Sequence, residues 1–176
     1  MLQVGKPAPS FKAQALAGTE FKEIGLDDYK GKWVCLYFYP LDFTFVCPTE
    51  IVEFNNAVDR FKALNCEVIG GSTDSVFSHL GWTQADERIS NLSYPLISDI
   101  TQAIGREYGI LIEEKGITLR GAFLIDPNGI LRYQLVHDLS VGRNVDEILR
   151  VLTALQTGEL CPATWKKKGD KTLGKG

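Results

Sequence analysis

The sequence has few of the residues that build metal centres, and it has no long apolar run. Its 176 residues include four cysteines and two histidines, and no two cysteines form a C-x-x-C pair. A structural zinc site needs such ligands in short, closely spaced pairs, so we expect neither a metal nor a bound cofactor. No segment approaches the ~20 apolar residues of a membrane span, and the first residues lack the apolar core of a secretory signal. We therefore expect a cytoplasmic protein that does not associate with a membrane.

The chain also lacks an excess of positive charge. Its formal net charge is -3, whereas nucleic-acid binding relies on clustered Lys and Arg, so we expect no nucleic-acid partner. The one basic run, Lys166-Lys167-Lys168, lies near the C-terminal end. Such runs are usually solvated, and this one by itself indicates no function.

The composition is that of an ordinary globular protein. With 44% hydrophobic and 23% charged residues, the chain is typical of one domain with a sizeable core. Residues after Gly158 are rich in lysine and glycine and contribute few core residues. We therefore predict a single domain over residues 1–158 and a C-terminal arm over residues 159–176.

The first half of the chain predicts a βαβ unit. Residues 33–39, WVCLYFY, form a short apolar run that ends at Pro40, which is typical of a strand buried on both faces. Apolar residues then recur at helical spacing from Pro48 to about Asn65, and residues 67–71 have the pattern of a second strand. A strand, a helix and a strand of these lengths favour a parallel pair with a right-handed crossover.

The second half predicts weaker elements, followed by a clear hairpin and a helix. The patterns cover residues 75–88 (a weak helix), 94–97 (a short strand or an extended loop), 121–125 and 130–136 (a hairpin), and 144–158 (a helix with Asn144 as its N-cap). The hairpin is indicated by the turn sequence Asp-Pro-Asn-Gly between its two strands. The whole order is that of an α/β protein with a central mixed sheet flanked by helices, which is the thioredoxin-like fold.

Cys47 lies where the buried strand gives way to the helix, the edge at which open α/β sheets place their chemistry. Pro48 has no N–H and fits only the first turn of a helix, so Cys47 is predicted at the helix N-terminus. Unpaired N–H groups there favour a thiolate over a thiol. Thr44, three residues earlier, would share one helical face with the sulfur. These residues alone leave two interpretations open, a nucleophilic cysteine or a small buried residue beside a capping threonine.

The residues around Cys47 resemble a known signature. The stretch 38–50, FYPLDFTFVCPTE, is similar to the peroxidatic signature of the typical two-cysteine peroxiredoxins. The resemblance continues at residues 72–74, 82, 95–99, 120–126 and 138–147, and it is strongest to the bacterial alkyl hydroperoxide reductase peroxidase subunit and related thioredoxin-dependent enzymes. It implies a thioredoxin-like fold and the thiol-dependent reduction of hydrogen peroxide and organic hydroperoxides.

The resemblance also implies roles for individual residues. The implied site consists of the peroxidatic Cys47, the pocket residues Thr44 and Pro40, the guanidinium of Arg120, and the supporting Glu50 and Arg143. The chemistry of the side chain supports the role assigned to Arg120, because a guanidinium offers hydrogen-bond donors in a rigid, planar fork. Such a fork can stabilise both a thiolate and the oxygen that leaves a peroxide.

A second cysteine is implied to complete the reaction. The segment 160–165, LCPATW, resembles the family's resolving segment. The resemblance implies that Cys161 of one subunit attacks a sulfenic acid on Cys47 of its partner and forms an intersubunit disulfide. Thioredoxin or a flavoprotein disulfide reductase would then reduce that bond. It also implies a homodimer and allows a decameric ring of dimers, with three residues near the contact between dimers, Phe43, Thr44 and Phe45.

The remaining cysteines and histidines have no predicted chemistry. Cys35 lies within the apolar strand, where burial disfavours a thiolate, and Cys66 begins the next strand. Both are predicted to be inert core residues. His79 is predicted to be a surface or capping residue, and His137 has no assignment.

Other classes of function stay open beside the peroxidase. A general dithiol oxidoreductase shares the fold, but its chemistry ordinarily uses a C-x-x-C pair, whereas Cys47 is followed by Pro-Thr-Glu. A client-holding chaperone, or a relay that passes oxidation to a partner protein, belongs to a different class. Rapid peroxide turnover with a supplied reductant separates the peroxidase from these.

The chain departs from some peroxiredoxins in two features linked to inactivation by excess peroxide. It has neither a Gly-Gly-Leu-Gly insertion before the strand at Pro95 nor a terminal helix with Tyr-Phe, and residues 85–94 read ADERISNLSY. We therefore expect resistance to overoxidation, because less packed structure must unfold before Cys161 reaches Cys47.

Overall fold

Strands and helices follow one another along the described residues, 2–176, of the computed structural model. They are β1 (Lys12–Ala17), β2 (Glu20–Gly25), β3 (Trp33–Phe38), α1 (Cys47–Asn56), α2 (Val58–Ala63), β4 (Cys66–Ser72), α3 (Val76–Ala85), β5 (Leu96–Ser98), α4 (Ala103–Glu107), β6 (Leu111–Ile112), β7 (Ile117–Thr118), β8 (Arg120–Ile125), β9 (Leu131–His137) and α5 (Val145–Thr157). None of these helices is long and apolar enough to span a bilayer.

Seven strands form one mixed sheet in the order β2-β1-β5-β4-β3-β8-β9. The three neighbours β5, β4 and β3 run parallel, and the other pairs are antiparallel. The parallel β3–β4 pair confirms the predicted βαβ pairing, and β8 with β9 confirms the predicted hairpin. Together with the flanking helices, this sheet confirms the α/β class with a central mixed sheet.

The central strand β3 is buried on both faces, as its apolar run predicts. Successive side chains of a strand point to opposite faces, so Leu36 and Phe38 join one core cluster while Tyr37 points away from it. On that other face the Tyr37 ring stacks on Phe54 of α1, with ring centroids 4.0 Å apart. A Cβ at Gly70 of the adjacent β4 would lie 2.8 Å from the Tyr37 ring. Glycine at this position therefore makes room for the tyrosine.

The prediction of one continuous helix from Pro48 to Asn65 is wrong. The structure divides it into α1 and α2 at Ala57, whose backbone N–H is shared between the carbonyls of Glu53 and Phe54. Sharing between the fourth and third preceding carbonyls is common where a regular helical ladder ends. The apolar spacing is the same on both sides of this break, so periodicity alone does not reveal it.

The N-terminal hairpin was missed by the sequence patterns. Strands β1 and β2 pair antiparallel from Lys12↔Gly25 to Ala17↔Glu20, which leaves a two-residue turn. Its first residue, Gly18, has φ 62°, the left-handed conformation that such turns require and that glycine adopts freely. A glycine between two short alternating segments is the signal that could have identified this hairpin.

The described chain divides into two units, Met1–Arg143 and Asn144–Gly176. In the second unit the Asn144 side chain accepts a hydrogen bond from Glu147 N, which confirms it as the N-cap of α5, and Gly158 ends that helix at φ 66°. The segment beyond the helix folds back on itself, because Leu160 N donates to Gly174 O and Leu173 N donates to Leu160 O, both at 2.8 Å. A functional division into residues 1–158 and an arm of residues 159–176 stays a prediction.

Candidate active site

Cys47 is the first residue of α1, directly after the loop that leaves β3. Pro48 follows it in the first helical turn, so the prediction that Pro48 fixes Cys47 at a helix start is confirmed. The preceding residue, Val46, provides no side-chain cap, and N–H groups in the first turn are the ones that lack intrahelical partners. Cys47 is a free thiol with 0% exposure. The sulfur therefore lies in a protected site at the positive end of a helix.

Arg120 reaches this sulfur from the start of β8. Its Nη1 donates to Cys47 Sγ at 3.4 Å and to Glu50 Oε2 at 2.6 Å. Its Nε donates to the carbonyl of Leu139 at 2.8 Å. These three contacts use the planar fork of the guanidinium and hold it against the sulfur. Only 3% of Arg120 is exposed, so little water screens its charge.

Glu50 lies one helical turn after Cys47 and joins two guanidinium groups. Its Oε2 accepts from Arg120, and its Oε1 accepts from both the backbone N and Nε of Arg143, each at 2.8 Å. Burial opposes ionisation of this carboxyl, but the charge and hydrogen bonds of Arg143, with the charge of Arg120, outweigh it. The pKa of Glu50 is therefore below its ordinary value.

Arg143 is fixed on several sides. Besides its bonds to Glu50, its Nη1 donates to the carbonyl of Gly121. Its guanidinium carbon lies 5.2 Å from the centroid of the Tyr37 ring and 5.9 Å from that of Phe54, within the range of cation–π attraction. Arg143 thus orients Glu50, and Glu50 in turn orients Arg120.

The charges of this cluster do not cancel. Two buried guanidinium groups, Arg120 and Arg143, surround one buried carboxylate, Glu50. Isolated charge is costly in a protein interior, so the surplus positive charge favours an anion beside it. The Cys47 sulfur, 3.4 Å from Arg120 Nη1, lies beside this surplus charge.

Thr44 and Pro40 lie in the loop between β3 and α1. The helical-face argument for Thr44 is wrong, because α1 begins only at Cys47 and Thr44 precedes it. The Thr44 hydroxyl donates to Leu41 O at 2.8 Å, which leaves its oxygen lone pairs free to accept. Pro40 is buried. Their membership of a peroxide pocket stays a prediction.

His79 is where the structure differs most from the expectation of a surface or capping residue. It is fully buried, its Nδ1 lies 2.8 Å from Asp42 Oδ2, and its Nε2 lies 3.0 Å from Ile97 O. Both partners are acceptors, so the doubly protonated ring satisfies both contacts. Burial opposes this charge, but the hydrogen bond and charge of Asp42 outweigh it and raise the pKa of His79.

Asp42 connects this buried histidine to the loop that leads to Cys47. Its carboxylate also accepts from the Tyr39 hydroxyl at 2.8 Å, and its backbone N donates to Asp74 Oδ2 at 2.9 Å. The loop is therefore held at Asp42 from its side chain and from its backbone. Asp42 falls within the signature stretch, but no pattern in the sequence pairs it with His79.

Cys161 lies in the second unit, in the segment after α5. It is a free, half-buried thiol, with its sulfur 3.5 Å from Thr157 Oγ1 and 3.8 Å from Ala154 O. Its pairing with Cys47 of a partner subunit stays a prediction.

The other two cysteines are buried, as their apolar contexts predict. Cys35 lies in the middle of β3 and Cys66 begins β4. Burial raises the pKa of Cys35 to about 12, and burial followed by the neighbouring Cys35 also raises the pKa of Cys66. Both thiols are therefore poor nucleophiles at neutral pH.

Among residues 2–176, no three His, Cys, Asp or Glu side chains are grouped as a metal site would require. The cluster around Cys47 consists of a thiol, a carboxyl group and two guanidinium groups.

Comparisons with known proteins place these residues in a wider context. A family model described as the AhpC/TSA family matches residues 4–134. A thioredoxin peroxidase of Fasciola hepatica is 53% identical over 180 residues, which cover 98% of this chain and 92% of the relative. A mitochondrial thioredoxin-dependent peroxide reductase of Drosophila melanogaster is 51% identical over 171 residues, 93% of this chain and 73% of the relative.

A solved structure agrees with the fold described above. The reduced 2-Cys peroxiredoxin of Plasmodium vivax superposes with a TM-score of 0.92 at 46% sequence identity, covering 96% of this chain and 91% of that one.

Proposed function

Because the chain belongs to the AhpC/TSA family, we propose that it is a thiol-dependent peroxidase in which Cys47 attacks the peroxide. The observation that carries this proposal is the contact of Arg120 Nη1 with Cys47 Sγ at 3.4 Å inside a buried cluster of surplus positive charge. A nucleophilic cysteine needs its thiolate form, and this cluster supplies the charge that favours it.

The first step transfers one peroxide oxygen to sulfur. The Cys47 thiolate attacks one oxygen of ROOH, the O–O bond breaks, and the sulfur becomes a sulfenic acid while the second oxygen leaves as ROH after gaining a proton. Negative charge moves from sulfur to the leaving oxygen during this step. Glu50 and Leu139 hold the guanidinium of Arg120 in place. Its donors can therefore stabilise the negative charge on the sulfur and then on the leaving oxygen without rearranging, which is the basis of electrostatic stabilisation.

The second step closes a disulfide. The Cys161 thiol attacks the sulfenic sulfur of Cys47, a S–S bond forms, and the hydroxyl leaves as water. Cys47 is fully buried at the start of α1, so the first turn of that helix must open to release the sulfenic acid. We place Cys161 on the partner subunit, because the resemblance of residues 160–165 to the resolving segment implies that it reaches across a dimer.

The assembly follows from the same proposal. An intersubunit disulfide requires a dimer, and a decameric ring of dimers would bring together the loop residues Phe43, Thr44 and Phe45. Two exposed aromatic rings support this contact, because Phe45 is 94% exposed and Phe43 is 60% exposed in the single chain. Exposed aromatic residues are enriched at protein interfaces.

The reductant and location complete the proposal. A thioredoxin fits the names of the relatives from Fasciola hepatica and Drosophila melanogaster, and a flavoprotein disulfide reductase is the other donor to test. We propose a cytoplasmic location, because a cycling thiol needs a reducing compartment. Cell fractionation would test it, and recovery in mitochondria, where the Drosophila relative belongs by name, would contradict it.

Peroxide consumption with dithiothreitol as reductant tests the central assignment. Cys47→Ser should abolish turnover, and Cys66→Ala, which removes the buried thiol at the start of β4, is the matched control and should retain it. Full activity in Cys47→Ser would refute the proposal.

Non-reducing electrophoresis tests the disulfide. A covalent dimer should appear after peroxide treatment and disappear in Cys47→Ser and in Cys161→Ser. A disulfide confined to one chain would contradict the intersubunit step.

A further inference from the structure

The charge of the chain is unevenly distributed. Residues 159–176 contain five lysines against Glu159 and Asp170, a net charge of +3, so the -3 of the whole chain leaves -6 for residues 1–158. The segment that contains Cys161 therefore has the opposite sign to the rest of the protein.

The fold of this segment presents its positive charge to solvent. Asp170 accepts hydrogen bonds from the backbone N of Lys166 and Lys167 at 2.8 and 3.0 Å, and Glu159 accepts one from the Thr172 hydroxyl. Both carboxylates thus fix the local backbone and a hydroxyl. The five lysine side chains are exposed, at positions 166, 167, 168, 171 and 175.

An apolar patch lies next to Cys161 within the same segment. Leu160 is 51% exposed and Leu173 is 67% exposed, and reciprocal backbone bonds hold the two neighbouring stretches together. Lys171 and Lys175 lie two residues before and after Leu173, and a turn from Pro162 to Trp165 leads to the other three lysines. An apolar centre with a charged rim is the usual arrangement of a protein interface.

We propose that residues 159–176 form an electrostatic docking surface for the reductant, and that this reductant is an acidic protein with an exposed dithiol. This inference rests on the proposed function and names its partner by chemical class. Lysines steer an acidic partner to the arm, while the -6 charge of residues 1–158 disfavours its approach elsewhere. Leu160 and Leu173 then provide the apolar contact beside the reacting sulfur.

The redox step that this docking serves is a thiol–disulfide exchange. A thiolate of the partner attacks Cys161 Sγ of the Cys47–Cys161 disulfide, which forms a mixed disulfide and releases the Cys47 thiolate. The second thiol of the partner then attacks its own sulfur in the mixed disulfide and releases Cys161. Two electrons pass to the peroxidase, and the partner leaves as a disulfide.

The ionic-strength dependence of the reductive half-reaction tests the proposal on the unmodified chain. The probe is an acidic thioredoxin kept reduced by thioredoxin reductase and NADPH, and dithiothreitol is the uncharged comparison. Raising KCl from about 10 mM to about 500 mM should lower kcat/KM for thioredoxin about tenfold, because added salt screens steering. The rate with dithiothreitol should change less than about twofold. Equal salt sensitivity with both reductants would overturn the proposal.

Charge-reversal variants test whether the lysines of residues 159–176 are the ones that steer the reductant. In K166E/K167E/K168E, the ratio of the thioredoxin-driven rate to the dithiothreitol-driven rate should fall about tenfold at low salt. The matched control, K22E/K62E/K115E, changes the net charge by the same amount at three exposed lysines outside the arm, and its ratio should stay within about twofold of the unmodified chain.

The remaining outcomes are also decisive. If the ratio of the thioredoxin-driven to the dithiothreitol-driven rate is unchanged in K166E/K167E/K168E, or falls equally in K22E/K62E/K115E, the docking surface is overturned. It is also overturned if dithiothreitol supports peroxide consumption by the unmodified chain but the acidic thioredoxin does not. If neither reductant supports peroxide consumption, the proposed function itself fails.

Discussion

Arg120 and Glu50 form a buried ion pair in which Arg120 Nη1 lies 2.6 Å from Glu50 Oε2. The same nitrogen lies 3.4 Å from Cys47 Sγ, so one donor serves both the carboxylate and the sulfur. Glu50 is held in turn by Arg143. The ion pair therefore fixes the position of a positive charge beside the thiol, and substitutions within it should separate reactivity from folding.

Arg120→Lys should lower the second-order rate of Cys47 with hydrogen peroxide about 10²-fold, the typical cost of one preorganised donor. Lysine retains the charge but lacks the planar fork that contacts Leu139, Glu50 and the sulfur together. Stopped-flow tryptophan fluorescence would measure the rate. Arg132→Lys, at a partly exposed pair with Asp126, is the control, and an equal effect in both variants would contradict the role of Arg120.

Glu50→Gln should destabilise the fold by about 3–5 kcal/mol, the usual cost of removing one partner of a buried ion pair. Two guanidinium groups would then lack their shared carboxylate. Urea unfolding would measure the loss. Glu113→Gln removes the partner of Arg106 at an exposed pair and should leave the free energy of unfolding almost unchanged, because exposed ion pairs contribute little to stability.

Acid should destabilise the fold by protonating the carboxyl group of Glu50. The pKa of Glu50 is below its ordinary value of 4.5, so its ionisation contributes stability that is present above that value and is lost as pH falls through the folded pKa. Glu50→Gln lacks this contribution. The free energy of unfolding of the unmodified chain should therefore fall more steeply below about pH 4.5 than that of the variant, and parallel curves would contradict the ion pair.

His79 should give stability with the opposite pH dependence. Its pKa is raised above 6.5, so the contribution of its ion pair with Asp42 is fully present below that value and is lost as pH rises through the folded pKa. His79→Gln should remove this component, so the difference in unfolding free energy between the unmodified chain and the variant should shrink as pH rises above 6.5 through the folded pKa. His137→Gln is the control, because His137 lies outside the Asp42 cluster, and its curve should follow the unmodified chain.

Alkylation should distinguish the four thiols. With the pKa of Cys35 raised to about 12, only about one molecule in 10⁴ is ionised there at pH 8, and Cys66 is also buried with a raised pKa. Iodoacetamide on the folded protein should therefore modify Cys161 and Cys47 and spare Cys35 and Cys66. Peptide mass spectrometry would read the pattern, and rapid labelling of Cys35 would contradict its inert role.

Excess peroxide should leave most of the protein active. Residues 85–94 contain one short 3-10 turn, Glu87–Ile89, where some peroxiredoxins have an insertion, so little added structure opposes the opening of α1. Mass spectrometry after cycling with high peroxide and reductant should find little sulfinic acid on Cys47. Abundant sulfinic acid would show that the segment does not set this resistance.

The sequence alone determined the parts of the fold that depend on local pattern. The apolar run of β3 and the turn chemistry between β8 and β9 each identify an element from neighbouring residues. Pro48 likewise fixes Cys47 at a helix start. The quoted signature carried the assignment of the cluster around Cys47, since local periodicity cannot bring Arg120 to a sulfur 73 positions earlier in the chain.

Tertiary structure decided the relationships between distant residues. Local spacing placed Thr44 on a helix that begins only at Cys47. His79 was expected to be a surface or capping residue, whereas it is fully buried and contacts Asp42 and Ile97. The physical reason is that hydrogen bonds and ion pairs form between groups that packing brings together. Residues that are far apart in the sequence can be packed together, and the local sequence pattern does not show which ones are. Cys47 could therefore be identified from the sequence, whereas the surplus positive charge that surrounds it appears only when Arg120, Glu50 and Arg143 are seen together.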